Sequence, residues 1–144
     1  MIKEFEKSEI DEVMNIWLAT NINAHNFLPE KYWIDNYNVV KEQYLPISET
    51  FVYKEDSVIK GFISIINNSF IGALFVAKEY QGQGIGLKLI NHCKSLYPKL
   101  ELAVYVDNIG AVDFYKRCGF EFQTEQVNED SAFREYIMFW NRMS

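Results

Sequence analysis

The stretch from Phe70 to Leu96 constrains the fold more than any other part of the chain. Its first seven residues, Phe70 to Val76, are apolar, uncharged and rich in strand formers, which predicts a strand buried on both faces. The loop Gln81-Gly82-Gln83-Gly84-Ile85-Gly86 follows, and an amphipathic helix begins there. Alternating glycines let several N–H groups point into one concavity at the positive end of that helix. The unit therefore predicts a phosphate-binding site.

Two common phosphate-binding loops do not fit this segment. A P-loop needs Lys and then Ser or Thr after its last glycine, but Gly86 is followed by Leu87 and Lys88, with no hydroxyl for magnesium. The dinucleotide fingerprint needs a glycine or alanine three residues after its second glycine, and Leu87 stands there. Both nucleoside triphosphate hydrolysis and dinucleotide binding are therefore disfavoured.

A second motif lies downstream of the glycine loop. It has the form N-x-x-A-x-x-F-Y-x-x-x-G-F, with Asn108, Ala111, Phe114, Tyr115, Gly119 and Phe120 at its fixed positions. Together with the Q-x-x-G-x-G loop, this segment resembles the GCN5-related N-acetyltransferases, the GNAT family. The resemblance in motif covers about Leu74 to Phe120, and it implies an enzyme that uses acetyl-CoA.

The resemblance also implies which residues contact acetyl-CoA. The loop would hold the pyrophosphate, the backbone at Phe75 and Val76 would bind the thioester and pantetheine, Asn108 would contact the CoA arm, and Tyr115 would protonate the sulfur. The implied cofactor-binding residues are Leu74, Phe75, Val76, Gln81, Gly82, Gln83, Gly84, Ile85, Gly86, Asn108, Ala111, Phe114 and Tyr115. Taken alone, Asn108 is better explained as a helix N-cap and Tyr115 as a packed aromatic residue, and their joint register with Gln81, Gly84 and Gly86 favours the functional interpretation instead.

The general base is not fixed by the motifs. Family members that acetylate ribosomal proteins commonly carry Glu five residues before the asparagine, where this chain has Ala103. Glu101 shares the predicted strand face of Ala103 but lies about 7 Å back along the strand. His25 belongs to a segment that resembles the A-H-x-F-L stretch of small bacterial members. We keep Glu101 and His25 as candidate bases, although His25 is also explained as a hydrogen-bonded structural residue.

Composition limits the other classes of function. A length of 144 residues, 49% of them hydrophobic, suits one domain over 1–144. The net charge of −6 disfavours nucleic-acid or anionic-membrane binding and mildly favours a cationic acceptor. Two cysteines, Cys93 and Cys118, give no disulfide framework and no metal-ligand spacing, so we expect core packing and no metal. Neither a membrane span nor a signal peptide is visible, which predicts a cytoplasmic protein. We expect acetyl-CoA and an amine acceptor as its partners, and a monomer or homodimer.

The predicted elements follow the order βααβββαβαββ, which is also the family's usual order. Strands are predicted over 2–5, 50–55, 58–67, 70–76, 100–106, 120–127 and 134–140. Helices are predicted from residue 8 to about 21, from 29 to 45, from 85 to 96 and from 108 to 118. This is an α/β (α+β) fold, with four helices on a central, mixed, mostly antiparallel sheet of about seven strands.

The resulting expectation is an acetyl-CoA-dependent N-acetyltransferase in which a primary amine of a small molecule or protein attacks directly in a ternary complex. A non-catalytic acyl-CoA-binding module is the alternative that Ala103 leaves open, and a ping-pong enzyme using Cys118 is a third. We expect the acceptor groove to be lined by the segment between the first two helices and by residues 128–134. The predicted acceptor-binding side chains are His25, Phe27, Tyr32 and Tyr105.

Overall fold

The computed structural model describes residues 1–142 of the chain. Its strands are β1 (Ile2–Glu4), β2 (Glu49–Glu55), β3 (Val58–Ile66), β4 (Phe70–Val76), β5 (Lys99–Tyr105), β6 (Glu121–Val127) and β7 (Arg134–Asn141). Its α-helices are α1 (Ile10–Ala24), α2 (Glu30–Val39), α3 (Ile85–Leu96) and α4 (Ile109–Arg117). The predicted fold class and element order are confirmed.

All seven strands form one sheet in the order β1-β2-β3-β4-β5-β7-β6. Neighbouring strands are antiparallel except β4 and β5, which are parallel because α3 connects them. Two tight turns join β2 to β3 and β3 to β4. Asp56 and Ser57, the two residues between β2 and β3, have positive φ, and so do Asn67 and Asn68, the first two of the three residues between β3 and β4; tight hairpin turns favour this conformation.

The sheet is interrupted between β4 and β5. Within residues 1–142, the parallel ladder pairs Phe70 with Glu101 and Ile71 with Leu102 and then ends. On the other side of β4 the register with β3 shifts by one residue, so that Gly72 is extra and forms a bulge. Beyond Ile71 the β5-facing edge of β4 therefore has no ladder partner, and a cleft opens in the middle of the sheet.

The prediction that β4 is buried on both faces is wrong for most of its length. Ile71 is buried, but Leu74, Phe75 and Val76 are only partly buried and Gly72 is exposed. An apolar run usually indicates a strand covered by helices on both faces. Here β5 leaves β4 after two residues, so the rest of the strand borders the cleft instead.

Each face of the sheet carries its own hydrophobic core. The first core packs α3 and α4 on one face and includes Ile63, Leu89, Leu102, Tyr115 and Met138. The second packs α1 and α2 on the other face and includes Met14, Trp17, Trp33, Val52 and Phe62. Alternating side chains of β4 reach both cores, since Leu74 and Val76 pack on the first and Ala73 and Phe75 on the second.

The first two helices differ from the prediction at their ends. α1 continues to Ala24, three residues past the predicted end at Asn21, and its last turn is closed by the backbone bond from His25 N to Asn21 O (2.9 Å). The side chain of Asn21 donates from its Nδ2 to Trp17 O (2.9 Å). α2 ends at Val39 and continues as a π-helical turn, Val40–Tyr44, and a short 3₁₀ turn, Leu45–Ile47. The connection between α1 and α2 is thus short and starts at His25.

Candidate active site

The glycine loop joins β4 to α3 and presents an uncapped helix N-terminus. Gly84 is the N-cap of α3 and has φ +82°, while Gly82 has φ +81°, a conformation that favours glycine. A Cβ added to either residue meets no heavy atom within 4 Å, so the loop is open on that side. No side chain caps α3, which leaves its first N–H groups available to an anion. These features fit the pyrophosphate of acetyl-CoA.

The other loop residues fasten the loop to its surroundings. A Cβ on Gly86 would lie 3.2 Å from Phe114 Cζ, so this glycine lets α3 and α4 approach each other closely. A side chain at Gly86 would therefore collide first with Phe114. Gln81 donates from its Nε2 to Val76 O (3.0 Å), which fixes the loop to the end of β4.

Helix α4 places the second motif beside the loop. Asn108 is its N-cap, since Ala111 N donates to Asn108 Oδ1 (3.3 Å). Tyr115 is buried two turns further along, between the rings of Phe114 and Phe120. Burial raises the pKa of the Tyr115 phenol, which keeps it protonated at neutral pH, as a proton donor must be.

His25 connects the two faces of the sheet through a chain of hydrogen bonds that sequence analysis missed. Asn21 Oδ1 lies 3.1 Å from His25 Nδ1, and Asn108 Nδ2 lies 3.1 Å from His25 Nε2. Because Asn108 Oδ1 accepts from Ala111 N, its Nδ2 donates to His25, and the ring then carries its proton on Nδ1. Burial lowers the pKa of His25 to about 4. The His25 ring is therefore neutral, and both of its nitrogens are hydrogen-bonded. Such a ring positions Asn108 and is a poor base.

The predicted acceptor-binding side chains meet in one place. His25, Phe27 and Tyr105 contact each other edge to face, with ring centroids 5.1 to 5.7 Å apart, and Phe133 packs on Phe27 at 5.0 Å. We call these four residues and Tyr32 the aromatic wall. Its hydroxyls contact the β6–β7 connection, since Tyr32 donates to Asp130 (2.5 Å) and Tyr105 to Ser131 (2.9 Å). Burial raises the pKa of both tyrosines, so both stay protonated.

Glu101 does not lie at the aromatic wall. It is paired with Phe70 and Phe139 where β4 and β5 are still joined, and it lines a separate surface cavity. Tyr105 is four residues further along β5, about 13 Å away by the rise of a strand. This distance disfavours Glu101 as the base.

A different carboxylate, Glu135, lies on the face of the aromatic wall. It is opposite Tyr105 in the β5–β7 ladder and is buried, with 7% of its surface exposed. Gln126 and Asn128 each donate an amide N–H to it, at 2.8 and 3.2 Å. The alternation in β7 gives the only sequence signal, because Glu135 shares a strand face with Ile137 and Phe139, where an apolar residue would be expected.

The cysteines are packing residues, as predicted. Cys93 and Cys118 are both free and buried in the first core. Burial raises the pKa of the Cys118 thiol, which disfavours the thiolate that a ping-pong mechanism needs. Among residues 1–142, no group of His, Cys, Asp and Glu side chains is arranged to hold a metal ion, and no helix is long and apolar enough to cross a membrane.

Comparison with known proteins identifies the family. The model of the acetyltransferase (GNAT) domain matches residues 25–136. The chain belongs to the GNAT acetyltransferases. It is 32% identical over 140 residues to peptidyl-lysine N-acetyltransferase YiaC of Escherichia coli K12, covering 97% of this chain and 96% of YiaC. A shorter match, 36% identical over 62 residues, is to the spermine/spermidine N(1)-acetyltransferase of Bacillus subtilis 168, covering 39% of this chain and 41% of that protein.

Solved structures agree with this family. The solution structure of apo YjaB from Escherichia coli superposes with a TM-score of 0.84 at 25% identity, covering 96% of this chain and 95% of YjaB. The GNAT chain described here is an acetyl-CoA-dependent N-acetyltransferase, as predicted, and the alternative of a non-catalytic module has no support among these relatives.

Proposed function

We propose that this GNAT enzyme acetylates lysine side chains of proteins in the cytoplasm. The observation that supports the proposal best is the aromatic wall, because its rings provide an apolar surface beside the cleft. The two carboxylates near the wall already accept hydrogen bonds from the protein. Asp130 accepts from Tyr32, and Glu135 accepts from the side-chain amides of Gln126 and Asn128. A lysine presents one ammonium group on an apolar stem, which suits such a surface. The nearly full-length similarity to a peptidyl-lysine N-acetyltransferase agrees with this acceptor.

A polyamine acceptor fits this surface less well. Spermine and spermidine carry several ammonium groups and would need several free carboxylates along their length. The cavity between α1, α2 and β4 is lined by no acidic side chain. The similarity to the spermine/spermidine enzyme also covers only 39% of this chain.

In this proposal, different residues of the chain bind acetyl-CoA, orient its acetyl arm and donate the proton to the leaving thiolate. Bound acetyl-CoA supplies the thioester that the amine attacks. The N–H groups at the start of α3 hold the pyrophosphate, and Asn108 has one amide N–H left for the CoA arm after donating to His25. The unpaired edge of β4 from Gly72 to Val76 orients the acetyl arm. Tyr115 donates its proton to the departing sulfur.

The amine loses its proton to water in this proposal. His25 is neutral and engaged on both nitrogens, and Glu101 lies away from the wall, so neither is an indispensable base. The rate should climb with pH as the fraction of free amine grows. Glu101→Gln and His25→Ala should each lower kcat/KM by about tenfold or less. A loss of about 10³-fold in either variant, with acetyl-CoA affinity intact, would reveal a dedicated base.

A panel of acceptors tests the proposed substrate. Purified protein and acetyl-CoA are incubated with a lysine peptide, with spermine, and with the same peptide carrying Nε-acetyl-lysine, which leaves only its N-terminal amine. Thiol release and mass spectrometry give kcat/KM for each. We expect the lysine peptide to exceed the other two by at least about tenfold. A higher kcat/KM for spermine, or equal acetylation of the blocked peptide, would refute the lysine assignment.

A further inference from the structure

Glu135 is a buried carboxylate that the fold does not pair with a cation. Only 7% of its surface is exposed, and it stands on β7 where the alternation of the strand calls for an apolar residue. No lysine or arginine among residues 1–142 forms an ion pair with it. Burying a charge without a counter-charge is unfavourable, and hydrogen bonds have to compensate for the lost hydration. An apolar residue would avoid this cost, so the carboxylate needs an explanation.

The two hydrogen bonds that Glu135 accepts lead to different parts of the molecule. Gln126 Nε2 donates to Oε1 (2.8 Å), and Gln126 is an exposed residue of the edge strand β6 that can also bond to water. Asn128 Nδ2 donates to Oε2 (3.2 Å). Asn128 is the first residue of the β6–β7 connection, residues 128–133. The second bond therefore joins Glu135 to a segment that borders the aromatic wall.

Asn128 organises this connection. Its Oδ1 accepts from Asp130 N (2.9 Å) and from Ser131 N (3.0 Å). Because Oδ1 faces two backbone donors, the amide has one satisfactory orientation, with Nδ2 directed at Glu135. A buried amide N–H needs an acceptor there, and a carboxylate oxygen is one, whereas an apolar side chain is not.

The connection in turn holds two tyrosines of the aromatic wall. Tyr32, on α2, donates to Asp130 (2.5 Å). Tyr105, on β5, donates to Ser131 (2.9 Å). Asp130 and Ser131 are the same residues whose backbone N–H groups are bound within the connection. The network that starts at Glu135 therefore ties two separate elements of the wall to β7.

We propose that Glu135 is a positioning residue for the acceptor. Through Asn128 it keeps the connection 128–133 in the conformation that fixes the hydroxyls of Tyr32 and Tyr105, so that the wall is formed before the amine arrives. The inference rests on the proposed function, because it takes the wall as the acceptor surface. Loss of this preorganisation should raise KM for the acceptor. The affinity for acetyl-CoA should stay the same, since none of these hydrogen bonds involves the glycine loop.

Two substitutions at position 135 test the role. Glu135→Leu removes both acceptor oxygens, and we expect KM for the lysine peptide to rise about tenfold while kcat stays within about threefold. Glu135→Gln keeps an oxygen for Asn128, because the exposed Gln126 can turn its own amide toward the new N–H, so its KM should stay within about threefold. Calorimetry with acetyl-CoA should give the native affinity for both variants. A loss of about 10²-fold in kcat of Glu135→Gln would indicate a general base and would overturn the positioning role.

Exchange of the charge between positions 128 and 135 tests the link itself. Asn128→Asp keeps an oxygen for Asp130 N and Ser131 N but places a second carboxylate against Glu135, which breaks the link. We expect hydrogen exchange over 128–133 to become at least about fivefold faster and KM for the lysine peptide to rise about tenfold. Adding Glu135→Gln to Asn128→Asp restores one donor and one acceptor in the reverse direction, and both values should return to within about threefold of native. A double variant that shows no recovery would contradict the proposed link.

Thr50→Val is the matched control for a purely structural effect. Thr50 is 7% exposed, as Glu135 is, and its hydroxyl shares a hydrogen bond with that of Ser64 (2.7 Å) in the other half of the sheet. Its loss should lower the midpoint of urea unfolding and leave KM for the acceptor unchanged. A rise in KM as large as that of Glu135→Leu would refute a specific role for Glu135.

Kinetics with spermine separate this inference from the proposed function. Unchanged KM for both the lysine peptide and spermine in Glu135→Leu would overturn the positioning role alone. Acetylation of spermine and of no lysine peptide would refute the lysine assignment, and a raised KM for spermine in Glu135→Leu would then still support the role of Glu135.

Discussion

At the residue scale, we propose Tyr115 as the proton donor for the departing thiolate. It is buried on α4, and its pKa is raised by that burial, so it holds its proton throughout the neutral range. We expect Tyr115→Phe to lower kcat by about 10²-fold and to leave the affinity for acetyl-CoA nearly unchanged, because the missing hydroxyl acts only when the sulfur departs. Steady-state kinetics with a good acceptor, together with calorimetry, measure both quantities.

Tyr53→Phe is the matched control for Tyr115→Phe. Tyr53 is buried in the same core but belongs to β2, so removing its hydroxyl should leave kcat within about twofold. Native turnover in Tyr115→Phe would reduce Tyr115 to a packing residue. A loss confined to KM would instead assign it to ligand positioning.

His25 should make the protein less stable in acid. Its pKa is about 4 in the folded protein and about 6.5 in an unfolded chain, so the unfolded state binds more protons between these values. The free energy of unfolding should therefore fall as the pH drops below about 6.5, by about 2 kcal/mol at pH 5 from this residue alone. Urea unfolding at pH 7.5 and pH 5 measures the difference.

His25→Gln separates this effect from the other titrating groups. Glutamine retains a carbonyl oxygen that can accept from Asn108 but has no charge to gain in acid. The variant should lose about 2 kcal/mol less than the native protein between pH 7.5 and pH 5. An equal loss in both proteins would show that the burial of His25 does not govern acid stability.

At the level of elements, the glycine loop combines two different requirements. Gly84 needs its positive φ and the open space in front of α3, whereas Gly86 needs its close approach to Phe114. Asparagine adopts positive φ more readily than most residues, and aspartate has the same shape with a negative charge. We expect Gly84→Asn to weaken acetyl-CoA binding about tenfold, and Gly84→Asp to weaken it at least another tenfold, because its carboxylate faces the pyrophosphate.

Calorimetry of the two folded variants, at low and at moderate salt, checks the loop prediction. The difference in acetyl-CoA affinity between Gly84→Asp and Gly84→Asn should become smaller as the salt concentration rises, because it arises from charge repulsion, which salt screens. Equal affinities in both variants would mean that the pyrophosphate does not lie at Gly84, and unchanged affinity in Gly84→Asp would contradict the role of the loop.

The sequence was sufficient to predict most elements but not their long-range contacts. β4 was placed correctly, from Phe70 to Val76, because its composition and the turns beside it are local signals. Its burial was predicted wrongly because the departure of β5 is a tertiary feature. The N-cap at Asn108, which the sequence offered as the alternative to a contact with CoA, is present, whereas the bond from Asn108 to His25, 83 residues away, leaves no local trace.

The carboxylate on the acceptor face shows the same limit. Glu101 was a candidate base because it shares a strand face with Ala103. The two-residue alternation of a strand is visible in the sequence, so this placement on a common face could be predicted. Glu135 comes next to Tyr105 only through the antiparallel β5–β7 register. Such a register depends on which strands become neighbours, and the order β5-β7-β6 is not sequential.

At the level of the whole molecule, the backbone ladders of the two halves of the sheet are joined at the centre by two residue pairs. The first core spans both halves, since it includes Ile63 of β3 and Leu102 of β5, while the cleft between β4 and β5 leaves the edge of β4 beyond Ile71 without ladder partners. Backbone N–H groups without partners exchange with solvent quickly. In the free protein, exchange at residues 74–76 and 82–86 should therefore be faster than in β3, whose strand is paired on both sides.

We expect acetyl-CoA binding to slow hydrogen exchange at the cleft between β4 and β5. Hydrogen exchange followed by mass spectrometry, at a ligand concentration about one hundred times Kd, should show at least about tenfold slower exchange over 74–86 and at the start of α4 near Asn108. The edge strand β6 is exposed along its length and lies two strands away from the cleft, so its exchange should stay the same. Gly84→Asp should lose most of the protection over 74–86, because a Kd raised at least about a hundredfold leaves at most about half of the variant occupied at this ligand concentration. Protection centred on β6, or protection that persists in Gly84→Asp, would mean that acetyl-CoA joins the two halves of the sheet elsewhere than at this cleft.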